Sequence, residues 1–184
     1  MKNVFRLKKD DIILAAIDFQ EKLLPAISGR EAIEKNAIKL AKGLEVFGVP
    51  KIVTTQYAKG LGQTVEPVAE ALGDFEPIDK TYFSAYKDPA FAKALKESGK
   101  TTVIICGAET HICVEQTTLD LLEAGYKVVL AADCAGSRDE KNHQFSMMRV
   151  SEAGAVITSS ESILYEILNG AKAPEFKQIS AIVK

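Results

Sequence analysis

The sequence predicts an α/β fold, a three-layer α/β/α arrangement with a Rossmann-like parallel sheet of six strands. Three observations carry that expectation. Strand and helix signals alternate along the whole chain. The strand candidates are continuous apolar runs rather than alternating ones, as in parallel strands buried on both faces. The 184 residues, of which 47% are hydrophobic, suit one α/β domain over residues 1–184 with a core of its own.

The elements follow in order. Ile12 to Ile17 is an unbroken apolar run and reads as the first strand. Ser28, Gly29, Arg30 and Glu31 form a capping-box pattern that opens a helix. Its face carries Ile33, Ala37, Leu40, Ala41, Leu44 and Phe47, and Gly48 closes it. Lys51 to Thr55 is the second strand, followed by the glycine-containing loop Tyr57 to Gly62 and a short helix over 64–72. A short third strand is placed around Pro77 to Thr81. Asp88 before Pro89 is an N-cap signal, and Gly99 ends that helix. Thr101 to Cys106 is the fourth strand, broken by Gly107. Residues 113–124 read as a helix with Val114, Thr118, Leu121 and Leu122 inward and Gly125 at its end. Lys127 to Ala131 is the fifth strand. Ser137 to Glu140 is a second capping box, for a helix through about Glu152. Ala155 to Ile157 is the sixth strand, and Thr158 to Glu161 cap a helix bearing Ile163, Leu164, Ile167 and Leu168. A last amphipathic turn or helix is expected over 174–183.

Bulk properties narrow the function classes. The formal charge is −2 with both signs interspersed, which gives no electrostatic case for nucleic acid or an acidic membrane surface. No stretch is long and apolar enough to span a bilayer, and the first ten residues show no signal-peptide core, so a cytoplasmic location is expected. Three cysteines, Cys106, Cys113 and Cys134, are too few and odd in number for a disulfide framework and read as free thiols.

In open parallel sheets ligands bind beyond the carboxyl ends of the strands. Asp18 ends the first strand, Lys80 lies at the third, and Cys113 follows the fourth at the first turn of a helix. A helix terminus and a lysine ammonium favour the thiolate, and a carboxylate within reach accepts its proton and returns it to a leaving group. The loop Gly107 to Ile112 is suited to aim backbone N–H groups at a carbonyl oxygen, each typically worth ~3–4 kcal/mol in a transition state. Spacing alone favours the bland reading, in which Cys113 packs, Asp18 caps or pairs at a strand end and Lys80 is a surface lysine.

The surrounding motifs change that balance. Ala16-Ile-Asp18-Phe-Gln20, Lys80-Thr-Tyr-Phe-Ser84 and Cys106-Gly-Ala-Glu-Thr-His-Ile-Cys-Val114 resemble, in order, the three signatures of the isochorismatase-like cysteine hydrolases. Thr54-Thr-Gln-Tyr57 with Gly60-Leu-Gly62, and Thr117 to Leu122, are most similar to the isochorismatase-domain-containing subgroup. Gly154 to Glu161 is similar too, so the likeness covers about residues 10–180. It implies strand order 3-2-1-4-5-6 and a catalytic triad in which Cys113 is the nucleophile, Asp18 the general acid/base and Lys80 the third member. It also implies a cis peptide at Ala108–Glu109, an oxyanion hole from the N–H groups of Glu109 and Cys113, and a homo-oligomer acting on a small molecule.

Departures from the family pattern matter as well. Metal-dependent nicotinamidases of this superfamily carry an aspartate and histidines after the second strand. Here that segment holds no histidine, and the chain's two histidines, His111 and His143, are far apart, so neither metal nor organic cofactor is expected. Isochorismatases proper cleave a vinyl ether and lack the nucleophilic cysteine, which makes that reaction an alternative only. The expected function is hydrolysis of a small amide-like C–N bond through a thioester. A catalytically silent binding or assembly protein is the alternative from another class, and a redox-sensing thiol ranks last because no Cys-x-x-Cys pair exists. Phe19, Gln20, Gln56, Tyr57, Phe83, His111 and Ile112 flank the triad in sequence and are the expected substrate-pocket residues. Tyr86 also lies nearby, Cys106 reads as buried and inert, and Cys134 as half-buried. Gly60-Leu-Gly62 lacks the phosphate-loop pattern and reads as a flexible turn.

Overall fold

A computed structural model describes residues 5–184. Of the ten N-terminal residues read for a leader, positions 1–4 lie outside the described residues. The sheet has six strands in the order β3-β2-β1-β4-β5-β6. They are β1 (Ile12–Ile17), β2 (Lys51–Gln56), β3 (Ile78–Lys80), β4 (Thr102–Ala108), β5 (Lys127–Gly136) and β6 (Val156–Thr158), and all neighbours pair in parallel. The helices are α1 (Arg30–Val46), α2 (Ala58–Leu61), α3 (Glu66–Leu72), α4 (Pro89–Ser98), α5 (Glu115–Glu123), α6 (Glu140–Glu152), α7 (Ser160–Leu168) and α8 (Phe176–Val183).

The apolar run of β1 explains the layering. Ile12, Leu14 and Ala16 point into one core with Leu40 and Leu44 of α1, Val68 and Leu72 of α3, Leu164 of α7 and Ile179 of α8. Ile13, Ala15 and Ile17 point into the other, with Phe91 and Leu95 of α4, Leu121 of α5 and Val150 of α6. Each large side chain fully withdrawn from water contributes roughly 1.5–3 kcal/mol. A strand that feeds two cores has no room for polar alternation, which is why its sequence is a block.

Several local expectations shift. Gly107 does not break β4, which runs on to Ala108. The glycine is there because a Cβ would lie 2.0 Å from the Ile17 carbonyl oxygen of β1. The backbones of β1 and β4 therefore close up next to Asp18. Strand β5 extends beyond Ala131 to Gly136, and the polar Asp133 within it binds the Ser160 N–H (2.7 Å) and hydroxyl (2.6 Å) at the start of α7. Neither proposed capping box forms. Helix α1 starts after Gly29 in the left-handed region, with no side-chain cap. Helix α6 is capped by Asp139, whose carboxylate accepts from the Lys141 N–H, while Ser137 stays buried at the end of β5. Helix α7 is capped by Ser159 and α4 by Asp88. The glycine loop after β2 winds into the single turn α2. Among the described residues no helix is long and apolar enough to cross a membrane.

Strand order reverses between β1 and β4. Their carboxyl ends are thus adjacent while their following segments leave to opposite faces, the arrangement that opens a crevice in doubly wound sheets.

Candidate active site

The last residue of β1 leads into Asp18, which has φ +52° and is fully buried. Left-handed backbone is uncommon outside glycine but tolerated by aspartate. The Asp18 N–H donates to the Thr54 carbonyl (3.2 Å), and the Thr54 hydroxyl donates to Asp18 Oδ1 (2.7 Å). Oδ2 accepts from Lys80 Nζ at 2.7 Å, and both side chains of this ion pair have 0% exposure. Lys80 Nζ also meets Gln56 Oε1 (2.7 Å) and the carbonyls of Tyr82 and Phe83 (3.3 Å each). A buried ammonium needs such acceptors, since an uncompensated buried charge costs several kcal/mol. Gln56 is itself fixed by donating Nε2–H to the Thr81 carbonyl at 3.0 Å.

Across the crevice, β4 ends at the Ala108–Glu109 peptide bond, which is cis. Residues Thr110–Val114 form a π-helical turn before α5, so the helix predicted from 113 begins as a wider turn and becomes α-helical at Glu115. Such turns occur often at functional sites because they re-aim side chains. Cys113 sits in it with 5% exposure. Its carbonyl accepts from the Thr117 hydroxyl (2.6 Å), and the Thr117 oxygen accepts the Ala85 N–H (2.8 Å), which ties the Cys113 turn to the segment after Lys80. On the β5 side the Glu109 carboxylate accepts the backbone N–H (2.9 Å) and Nε–H (3.0 Å) of Arg138. The Glu109 backbone N–H has no acceptor among the described residues.

The Cys113 thiol feels the opposed charges of Asp18 and Lys80. Its pKa is pushed up to about 12 by burial first and the Asp18 carboxylate second, with Lys80 pulling it back only in part. The sequence argument for a thiolate favoured by lysine and a helix terminus is therefore reversed. Lys80 is neutralised by Asp18 at contact distance, and burial opposes the charged sulfur. Cys113 is therefore favoured as the neutral thiol. Burial also raises Cys106, to about 12, and Cys134. Cys134 is fully buried rather than half-buried.

The flanking residues divide. Gln56 supports Lys80. Gln20 is buried, and its side chain is spent on backbone: Oε1 accepts the Gln56 N–H (2.7 Å), and Nε2 donates to the carbonyls of Gly62 (2.8 Å) and Gln56 (3.2 Å). Phe19 packs in the first core. Tyr57 and Phe83 are exposed, as is Tyr82, which the sequence did not single out. Tyr57 has φ +44°, and its ring lies over Gly60, where a Cβ would come within 2.5 Å of it. His111 and Ile112 are half-buried on the nucleophile turn. His111 Nδ1 lies 2.9 Å from the Ser137 hydroxyl, and His143 Nδ1 lies 3.0 Å from that of Thr110. Thr54 and Thr117 are the residues that sequence reasoning missed. A hydroxyl on a strand buried on both faces was the available signal for Thr54.

A cavity of about 410 Å³ lined by Pro50, Lys51, Asp74 and Phe75 lies at the amino-terminal end of β2, away from these groups. Among the described residues no cluster of His, Cys, Asp or Glu has the makings of a metal site.

Residues 12–162 match the model of the isochorismatase domain family. Isochorismatase domain-containing protein 1 of Salmo salar is 37% identical over 167 residues, which are 91% of this chain and 59% of that protein's length. Among solved structures, the MAR1 ribonuclease of Caenorhabditis elegans is 35% identical, with a TM-score of 0.91 over 97% of this chain and 92% of that one. YcaC from Pseudomonas aeruginosa, in a structure with hexane-2,5-diol and covalent acrylamide, is 27% identical, with a TM-score of 0.94 over 100% of this chain and 92% of that one. With the sheet order, the strand-end residues and these likenesses together, the chain belongs to the isochorismatase family and has the fold of its hydrolases.

Proposed function

We propose that the protein is a cysteine hydrolase that cleaves a small amide-like C–N bond through a Cys113–Asp18–Lys80 triad. One observation carries the reading: a fully buried Asp18–Lys80 ion pair acts on the nearly buried Cys113 thiol at the switch point of the sheet. A buried ion pair is weak evidence for stability and is more often retained for a task.

Because the thiol rests protonated, its proton leaves as the bond forms. Asp18 accepts the thiol proton while Cys113 Sγ attacks the carbonyl carbon. The oxyanion rests on the N–H groups of Glu109 and Cys113. The C–N bond breaks as Asp18 delivers the proton to the amine, leaving a thioester. Water then attacks, Asp18 takes its proton, and the C–S bond breaks with that proton returning to sulfur. Lys80 stays an ammonium throughout and offsets the charge on Asp18. Tyr57, Phe83, His111 and Ile112 border the substrate. No step requires a metal or organic cofactor. Assembly as a homo-oligomer belongs to the same proposal and is supported by large apolar side chains left in water at Phe145 and Met148 of α6.

A second reading, a silent binding protein on this scaffold, draws on the strongly raised thiol and its slight exposure. One experiment separates them. The purified protein is incubated with small amides, ureides and esters, and with a short RNA because of the C. elegans likeness. The proposal expects a hit among the amides that Cys113→Ala abolishes. Full turnover by Cys113→Ala overturns the nucleophile assignment, and silence across the panel favours the second reading.

A further inference from the structure

Strand β2 carries two adjacent, fully buried threonines with different partners. Thr55 donates to Asp79 Oδ1 (3.1 Å), which also accepts the Ala58 N–H (2.7 Å) and so shapes the loop after the strand. Thr54, on the other face, donates to Asp18 Oδ1. Valine has the same shape, suits a buried strand at least as well and brings no polar atom to desolvate. The hydroxyl at position 54 is therefore not explained by the sheet. Its only acceptor among the described residues is the Asp18 carboxylate, so it is a standing donor.

Both oxygens of Asp18 are thus held, Oδ1 by Thr54 and Oδ2 by Lys80. A carboxylate gripped at one oxygen still turns about the other contact, whereas two fixed donors define its plane. We propose that Thr54 is a positioning residue for the hydrolytic half of the reaction. It holds the Asp18 carboxylate in the plane that presents a lone pair to the water attacking the Cys113 thioester. In that step the water oxygen bonds to the acyl carbon, one water proton passes to Asp18, the C–S bond breaks, and the sulfur takes that proton to become a thiol. The inference rests on the cysteine-hydrolase reading above.

p-Nitrophenyl acetate is the probe, because its activated ester acylates a cysteine without help to the leaving group. The acyl group on Cys113 is followed by intact-protein mass spectrometry after excess probe is removed. Thr54→Val is expected to slow hydrolysis of the thioester on the order of 10- to 100-fold, as a small misplacement of a reacting group does. Thr54→Ser, which keeps the donor, is expected to stay within about threefold of the unmodified protein. Hydroxylamine attacks a thioester without a base and is expected to clear the acyl group equally fast in all three, which locates the defect in water activation rather than access. Should Thr54→Val fail to fold, Thr54→Ala serves in its place. Hydrolysis by Thr54→Val within about twofold of the unmodified protein overturns the inference, as does hydroxylamine cleavage that slows in parallel, since that marks a general distortion. Two other results strike the parent reading instead: no acyl group on Cys113 in the unmodified protein, or Asp18→Asn hydrolysing its thioester as fast as the unmodified protein.

Discussion

On the β1–β2–β3 side of the crevice the charges are completely enclosed, with Lys80 Nζ facing four acceptors and Asp18 gripped at both oxygens. On the β4–β5 side Cys113 sits in a π-helical turn, has no ion-pair partner and keeps 5% exposure. Asp18 and Lys80 are placed by strand ends, whose backbone is pinned by the sheet. Cys113 is placed by a turn between strand and helix. The difference also sets the electrostatics. An enclosed ion pair is neutral seen from a distance, so Lys80 cannot ionise the sulfur by itself, and burial decides the resting state of Cys113.

The comparison breaks most sharply at Asp18. Asp18→Asn keeps the shape of the enclosed half and removes its base, so hydrolysis of the first amide found is expected to fall about 10²- to 10⁴-fold in steady-state assays. The enclosure of Lys80 predicts the next largest effect. Lys80→Met leaves the Asp18 carboxylate buried without a counter-charge and should cost about 3–5 kcal/mol in chemical denaturation. The double variant Asp18→Asn/Lys80→Met should recover much of that loss. Equal stability of the single and double variants would show that the enclosed half is not a coupled unit.

Thr117 joins the two halves, and its removal measures how far one depends on the other. Thr117→Val leaves the Ala85 N–H buried and unpaired, an expected loss of about 1–3 kcal/mol by denaturation. A more gradual effect, spread along the pH scale, concerns a thiol outside the site. The Cys106 pKa is raised in the folded state from the ordinary 9.0 to about 12 by burial and by Asp133. A raised folded value means that this contribution is complete below pH 9.0 and is lost as pH climbs toward about 12. The slope is about 1.4 kcal/mol per pH unit for this one proton. Stability measured against pH should therefore fall more gently in Cys106→Ala than in the unmodified protein over that window.

Most of the framework was legible in the chain. Blocks such as Ile12–Ile17 and Thr102–Cys106 have no polar alternation because both their faces are buried, and that block pattern is readable without coordinates. The positions of Asp18, Lys80 and Cys113 at strand ends follow from the same pattern. What stayed hidden depended on distances across the sheet. Gly107 looks like a strand breaker in sequence, and only the approach of the Ile17 carbonyl shows it to be the residue that lets β1 and β4 close. Ser137 fits a capping box locally, yet its hydroxyl is engaged by His111 from another element. Gln20 lies two residues from Asp18, but its amide serves backbone groups at the end of β2 and in the loop after it. The state of the Cys113 thiol was misjudged because the sequence names its neighbours without showing how deeply the sulfur is buried or that Asp18 outweighs Lys80.

In the proposed mechanism burial, seconded by the Asp18 carboxylate, keeps the Cys113 thiol protonated at rest, and Asp18 removes its proton during attack. The direct test is the pH dependence of Cys113 alkylation by iodoacetamide, read by mass spectrometry, in the unmodified protein and in Asp18→Asn. The account predicts slow alkylation at neutral pH that climbs toward about 12 in the unmodified protein, and faster alkylation at neutral pH in Asp18→Asn, where Lys80 acts on the sulfur unopposed. An unmodified thiol already fully reactive at neutral pH, or one that Asp18→Asn makes less reactive, would contradict it.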